Sequence, residues 1–256
     1  MTHPERSAEE TDARRELVDA NHILFDQGVV DGFGHVSVRH PTQRDRFILA
    51  RSMAPALVSE SDLQVLDFDG RVVEGDSRPA YLERFIHGEI YRRRDDVNSV
   101  VHNHSPAVIP FGIVASARLR PVCHMSGFLH PASPVFEIRN AAELATDMLI
   151  RSSALGAALA DTLGTHAVVL MRGHGATAVG GTLRQAVFRA VYAEVNARLQ
   201  AAAMALGPVT YLSEGEAQLS SEANDGQIHR AWELWRIATH QTGRLPPGTN
   251  AQETMR

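Results

Sequence analysis

Lysine is absent from this 256-residue chain. All 25 basic residues are arginine, against 30 acidic ones, for a formal net charge of −5. Without lysine there is no amine to form a Schiff base with a carbonyl substrate and no anchor for pyridoxal phosphate. A Walker phosphate loop, which needs its Lys, is excluded as well. Cysteine is nearly absent, with Cys123 alone, which removes a disulfide framework and any multi-cysteine zinc or iron–sulfur site. No apolar run reaches the roughly 18 residues of a membrane span, and the polar start from Met1 to Glu10 has no signal-peptide character. A soluble cytoplasmic protein is expected, with no membrane partner. The acidic balance and missing basic patch argue against nucleic acid, which rewards a basic face.

What the chain does hold is 13 histidines and an apolar fraction of 44%, enough for a substantial core. Polar or metal chemistry therefore falls to His, Asp, Glu, Arg and hydroxyls. The hydrophobic pattern reads as a helix over 9–27, short strands near 36–38 and 46–50, and a hairpin of 63–68 with 71–74 about Asp69-Gly70. A helix over 80–94 follows Pro79, then a strand over 98–104, a strand near 134–138, a helix over 141–163 and a strand from Ala167 to Met171. After a Gly-rich loop come helices over 183–206 and about 214–241. With no long linker and no repeat, the expected fold is α/β: a single-domain sandwich over 1–241, its mainly antiparallel central sheet flanked by helices, with a loose tail over 242–256.

Two of the histidines close the strand over 98–104. Side chains alternate across a strand, so His102 and His104 share a face and suit two ligand positions on one metal. His174, in Arg172-Gly173-His174-Gly175, directly follows another strand, and its glycines let the backbone turn it toward a neighbouring strand end. Three imidazoles with an open position are the arrangement of a catalytic metal, and Zn, Mn, Fe and Co all accept them. Each motif alone also has a plain reading as a surface pair or a turn residue. Glu83 is the nearby acid–base candidate. Periodicity alone favours a surface glutamate paired with His87 at i+4.

Taken together these segments resemble the class II aldolase/adducin family. The pattern is carried by Gly34-His35-Val36-Ser37, Glu83, His102-Asn103-His104-Ser105-Pro106 and His174-Gly175, in order, across about residues 10–205. The resemblance implies one divalent metal on His102, His104 and His174, with Glu83 beside it moving protons. It also implies a ring-like homotetramer with sites near subunit boundaries. The departures from the sugar-phosphate aldolases are informative. His35 stands where they have Asn, the next loop reads Arg51-Ser52-Met53-Ala54-Pro55, and Tyr81-Leu82 precede Glu83. A phosphate wants a nest of several donors, whereas an Arg suits a planar carboxylate. These features, with Arg120-Pro121-Val122-Cys123-His124-Met125-Ser126, are similar to the branch that decarboxylates hydroxypyridine dicarboxylates and dihydroxyphthalates.

The expected activity is thus metal-dependent removal of CO2 from a hydroxylated aromatic dicarboxylic acid. His35, Ser37, Arg51 and Ser52 are expected to bind the substrate, and Glu83 to protonate the ring from a carboxyl whose pKa an apolar pocket raises. No organic cofactor is expected, since a metal must carry the charge that an imine would otherwise take. The alternatives are an aldolase acting on a small hydroxy-carbonyl or sugar phosphate and a non-catalytic adducin-like interaction module.

Overall fold

The structure, a computed structural model, describes residues 6–75, 78–142 and 145–241; the expected loose tail from Thr242 lies outside them. Helix α1 (Ala8–Asp26) opens at Ser7, whose hydroxyl accepts the Glu10 N–H, a cap that satisfies one of the first-turn donors. Strands β1 (His35–Arg39), β2 (Arg46–Ala50), β3 (Leu63–Asp67) and β4 (Val72–Glu74) form an antiparallel meander. Helix α2 (Phe85–Arg93) leads into β5 (Ser99–Asn103), and a five-residue helix α3 (Ile109–Ile113) and the short strand β6 (Val135–Phe136) follow. Helix α4 (Ser153–Leu163), strands β7 (Val168–Met171) and β8 (Gly175–Gly180), and helices α5 (Leu183–Leu206), α6 (Glu214–Asp225) and α7 (Ile228–Gln241) complete the described chain.

The eight strands form one sheet in the order β4-β3-β2-β1-β5-β8-β7-β6. All neighbours are antiparallel except β6 and β7, which are parallel, so the sheet is mixed and mostly antiparallel. Register matches His35 with His102, Ser37 with Val100 and His102 with Thr177. Matched residues point to the same side of a sheet, so these side chains share one face, the one that α2 covers. Helices α1 and α5 pack on the opposite face, and α7 closes over both of them.

Four sequence expectations are corrected. The expected helix over 80–94 begins only at Phe85, because Ala80 bridges Arg51 and the Tyr81 hydroxyl donates to the Met53 carbonyl, holding this stretch extended. Glu83 therefore sits in the turn before α2. The expected helix over 141–163 begins at Ser153, capped by Ser152; residues 146–150 run without helix, and Met148 has φ +65°. The Gly-rich loop after Met171 is a three-residue turn followed by the strand β8. The long helix over 214–241 is two, broken at Gly226-Gln227.

Candidate metal centre

Strand β5 delivers His102 on its last turn of pleat, fully buried, and His104 just beyond its end. His174 stands in the turn between β7 and β8, which Gly173 makes possible with φ +65°. The close approach of these two strand ends depends on Gly175. A Cβ there would lie 1.9 Å from the Asn103 carbonyl oxygen. The result is a cluster in which His102 Nε2 is 3.2 Å from His104 Nε2, itself 3.0 Å from His174 Nε2. Glu83 Oε2 lies 3.5 Å from both His102 Nε2 and His174 Nε2. One ligand atom from each of the four residues lies within 4.8 Å of every other.

The donor set fits a cation. The His174 Nδ1–H donates to the Met148 carbonyl at 3.0 Å, so its Nε2 carries a lone pair. The Thr177 hydroxyl donates to Met171 Sδ, leaving its oxygen to accept from His102 Nδ1 at 3.4 Å. His102 Nε2 then also presents a lone pair, as second partners of metal-ligating histidines commonly ensure. Two lone pairs and a carboxylate oxygen turned on one point repel each other, and a cation at that point makes all three contacts favourable. Metal–nitrogen bonds of about 2.0–2.1 Å separate neighbouring ligand nitrogens by roughly 3.0–3.4 Å, the spacing found here.

Burial by itself would raise the Glu83 carboxyl, but His102 and His174 beside it outweigh burial and hold it well below the usual carboxylate range. Its second oxygen accepts the Ile150 N–H at 2.9 Å. The expectation of a raised Glu83 pKa is therefore corrected: the side chain is buried but ionised, because imidazoles and a backbone donor face it. Burial, with His102 and His174 adjacent, lowers His104 to about 4.

Above the cluster lies a cavity of about 320 Å³ walled by Phe33, Gly34, His35, Ser52, Met53, Tyr81, Leu82 and Leu149, with Glu83, His102 and His104 at its floor. Of the four expected substrate-binding residues, His35 and Ser52 line it. Ser37 does not: it is fully buried behind His35, bonded to His87 Nδ1 at 2.6 Å and Tyr91 Oη at 2.7 Å. Arg51 is not in the cavity wall either. Its Nε donates to Asp62 Oδ1 at 2.9 Å, because that nearly buried carboxylate needs a cation. His87, readable from spacing as a surface partner of Glu83, is fully buried and instead meets His35 Nδ1 through Nε2 at 2.6 Å. Burial, with His102 nearby, lowers it to about 3. Sequence reasoning missed His87, Tyr91, Thr177 and the backbone groups of Met148 and Ile150. Only the i+4 spacing of Glu83 and His87 marked any of them.

Residues 15–201 match the model of the class II aldolase and adducin N-terminal domain. The chain belongs to the class II aldolase/adducin family. Within it, the chain is similar to the decarboxylase tropJ of Talaromyces stipitatus, 39% identical over 90% of this chain and 95% of that one. It is also 31% identical to the 3,4-dihydroxyphthalate decarboxylase of Arthrobacter keyseri, over 73% of this chain and 77% of the other. Among solved structures, an L-fuculose 1-phosphate aldolase from Glaciozyma antarctica PI12 superposes with a TM-score of 0.75 at 21% identity, covering 94% of this chain and 95% of that chain. That likeness establishes the α/β fold of the family. No helix among the described residues is long and apolar enough to cross a membrane.

Proposed function

We propose that this chain is a divalent-metal-dependent decarboxylase, a carbon–carbon lyase that removes CO2 from a hydroxylated aromatic dicarboxylic acid of the dihydroxyphthalate or hydroxypyridine dicarboxylate kind. The observation that carries the reading is the Glu83–His102–His104–His174 cluster at the floor of a small, largely apolar cavity. The names of the two decarboxylase relatives support the same reaction. A volume of about 320 Å³ is at the small end of ligand cavities, roughly 300–1,000 Å³, and suits one substituted ring. Met53, Tyr81 and Leu82 offer that ring apolar surface where a sugar phosphate would need a nest of donors.

His102, His104 and His174 hold the metal in this reading; Zn, Mn, Fe and Co all suit three imidazoles. When bound, the ion supplies Lewis acidity, drawing charge onto adjacent ring oxygens. Glu83, ionised in the resting site, takes the proton of a ring hydroxyl as the acid binds. The C–CO2 bond then breaks with its electron pair left on the ring carbon, and Glu83 returns the proton there to form the new C–H bond. His35 and Ser52 contact the substrate from the cavity wall, while Arg51, held by Asp62, supports the loop that carries Ser52.

The assay that tests this reading measures CO2 release from hydroxyphthalates, pyridine dicarboxylates and sugar phosphates by metal-loaded protein. CO2 from a hydroxylated aromatic acid is expected. Carbonyl products from a sugar phosphate, with no CO2 from the aromatic acids, would favour the aldolase alternative instead. We also propose a homotetramer, supported by the exposed Leu199, Met204 and Leu206 of α5 and Leu219, Leu234 and Ile237 of α6 and α7. Light scattering on the eluting protein should give four times the 28.0 kDa chain mass; a monomer contradicts it.

A further inference from the structure

Four side chains that the metal cluster does not use run from the cavity wall into the interior. His35 Nδ1 lies 2.6 Å from His87 Nε2, His87 Nδ1 lies 2.6 Å from Ser37 Oγ, and Ser37 Oγ lies 2.7 Å from Tyr91 Oη. His35 is 4% exposed and lines the cavity, while the other three are fully buried. In such a place every polar hydrogen needs an acceptor, so the direction of the chain is set at one end and inherited along it.

The inner end is a phenol. Its oxygen already accepts from the Val100 backbone, so the acceptor left for its O–H is Ser37 Oγ, and Tyr91 donates to Ser37. Ser37 then gives its own proton to His87 Nδ1. Were His87 also to donate to Ser37, the serine proton would be stranded in the interior, at the cost of an unmade buried hydrogen bond. His87 thus carries its proton on Nε2 and donates it to His35 Nδ1. His35 is left with its proton on Nε2, the ring nitrogen outside the chain. The rings are held from their sides as well: Tyr81 and His102 pack on His35 at centroid distances of 4.6 and 5.0 Å, and Phe47 stacks on His87.

We propose that Tyr91, Ser37 and His87 are positioning residues that hold His35 in the Nε2–H tautomer, so that a neutral donor of fixed direction meets a carboxylate oxygen of the bound aromatic acid. A neutral donor orients the carboxylate without adding positive charge beside three metal-binding imidazoles. The acceptor's identity rests on the decarboxylase reading, whereas the tautomer does not.

Histidine-selective 15N labelling of the zinc-loaded protein at neutral pH reads the tautomer with no substrate present. His35, assigned through His35→Asn, is expected to show a pyrrole-type Nε2 and a pyridine-type Nδ1. A proton on Nδ1, alone or together with one on Nε2, overturns the proposal. Ser37→Ala is expected to mix the His35 tautomers and to weaken binding of 3,4-dihydroxyphthalate about tenfold, with zinc content unchanged. Ser37→Thr, which keeps the hydroxyl, restores both. Wild-type tautomer and affinity in Ser37→Ala overturn the positioning role, and should that variant fail to fold, the wild-type spectrum still decides. If the wild type itself does not bind the acid, the substrate reading fails while the spectrum continues to test the tautomer.

Discussion

Glu83 faces two imidazole nitrogens at 3.5 Å with one oxygen and accepts the Ile150 N–H with the other. Glu83→Gln keeps the shape and the carbonyl acceptor for Ile150 but removes the proton carrier. It is expected to retain its metal by elemental analysis while kcat falls by roughly 10²–10⁴, the usual contribution of a positioned acid–base group. Wild-type turnover in this variant would remove Glu83 from the reaction. At this scale the sequence is legible where side-chain direction follows from local geometry. His102 and His104 stand two apart at the close of β5, His174 lies in the glycine-flanked turn after β7, and the structure brings all three together. It is illegible where long-range packing decides the partner. Arg51 carries a charge suited to a carboxylate, but the carboxylate it meets is Asp62 of its own chain. His87 is spaced as a surface partner of Glu83, yet the sheet buries it against His35 and Ser37. The Met148 carbonyl that orients His174 has no side-chain signature at all.

Strand β8 shows why one element was hidden. Its sequence, Gly-Ala-Thr-Ala-Val-Gly, has little of the β-branched and bulky character that marks a strand, and it reads as a loop. It is nonetheless fully buried between β5 and β7, and its small residues are what allow close backbone approach. Gly175→Ala is expected to push β8 away from the Asn103 carbonyl, lower stability by about 1–3 kcal/mol and loosen metal binding through His104 and His174. Urea unfolding with metal analysis checks it; unaltered stability and metal content would contradict the packing account. The stretch 146–150 misled for the opposite reason. Its Met148 and Leu149 suit a helix, but the stretch is held out of helix where Met148 O accepts from His174 and Ile150 N–H donates to Glu83. Local preference yields there to two bonds that organise the site, a common pattern at functional positions. The strands β1 to β4, α1 and α5 were legible because pattern, caps and turn residues agree with the tertiary environment.

At the scale of the whole molecule, neutral histidines in the interior tie stability to pH. His87 protonates near pH 6.5 when unfolded and, through burial, only at about 3 when folded. Below about pH 6.5 the unfolded chain therefore binds a proton that the folded chain refuses, and stability falls as pH is lowered toward 3. Between pH 7 and 5 this amounts to about 2 kcal/mol for His87 alone. Urea unfolding at the two pH values should show the loss, and His87→Asn should lessen it by about that amount, since the other buried histidines, His35 among them, remain. An equal pH dependence in the variant would mean that His87 is not the group responsible. The central claim, that a metal held by three histidines at the foot of this cavity removes CO2 from an aromatic acid, is tested most directly by one isotope measurement. Carboxyl-13C-labelled 3,4-dihydroxyphthalate is incubated with protein as purified, after chelation, and after metal return. Labelled CO2 is expected before chelation, absent after it and restored with the metal; release that is indifferent to chelation, or no labelled CO2 from the metal-loaded protein, would contradict the account.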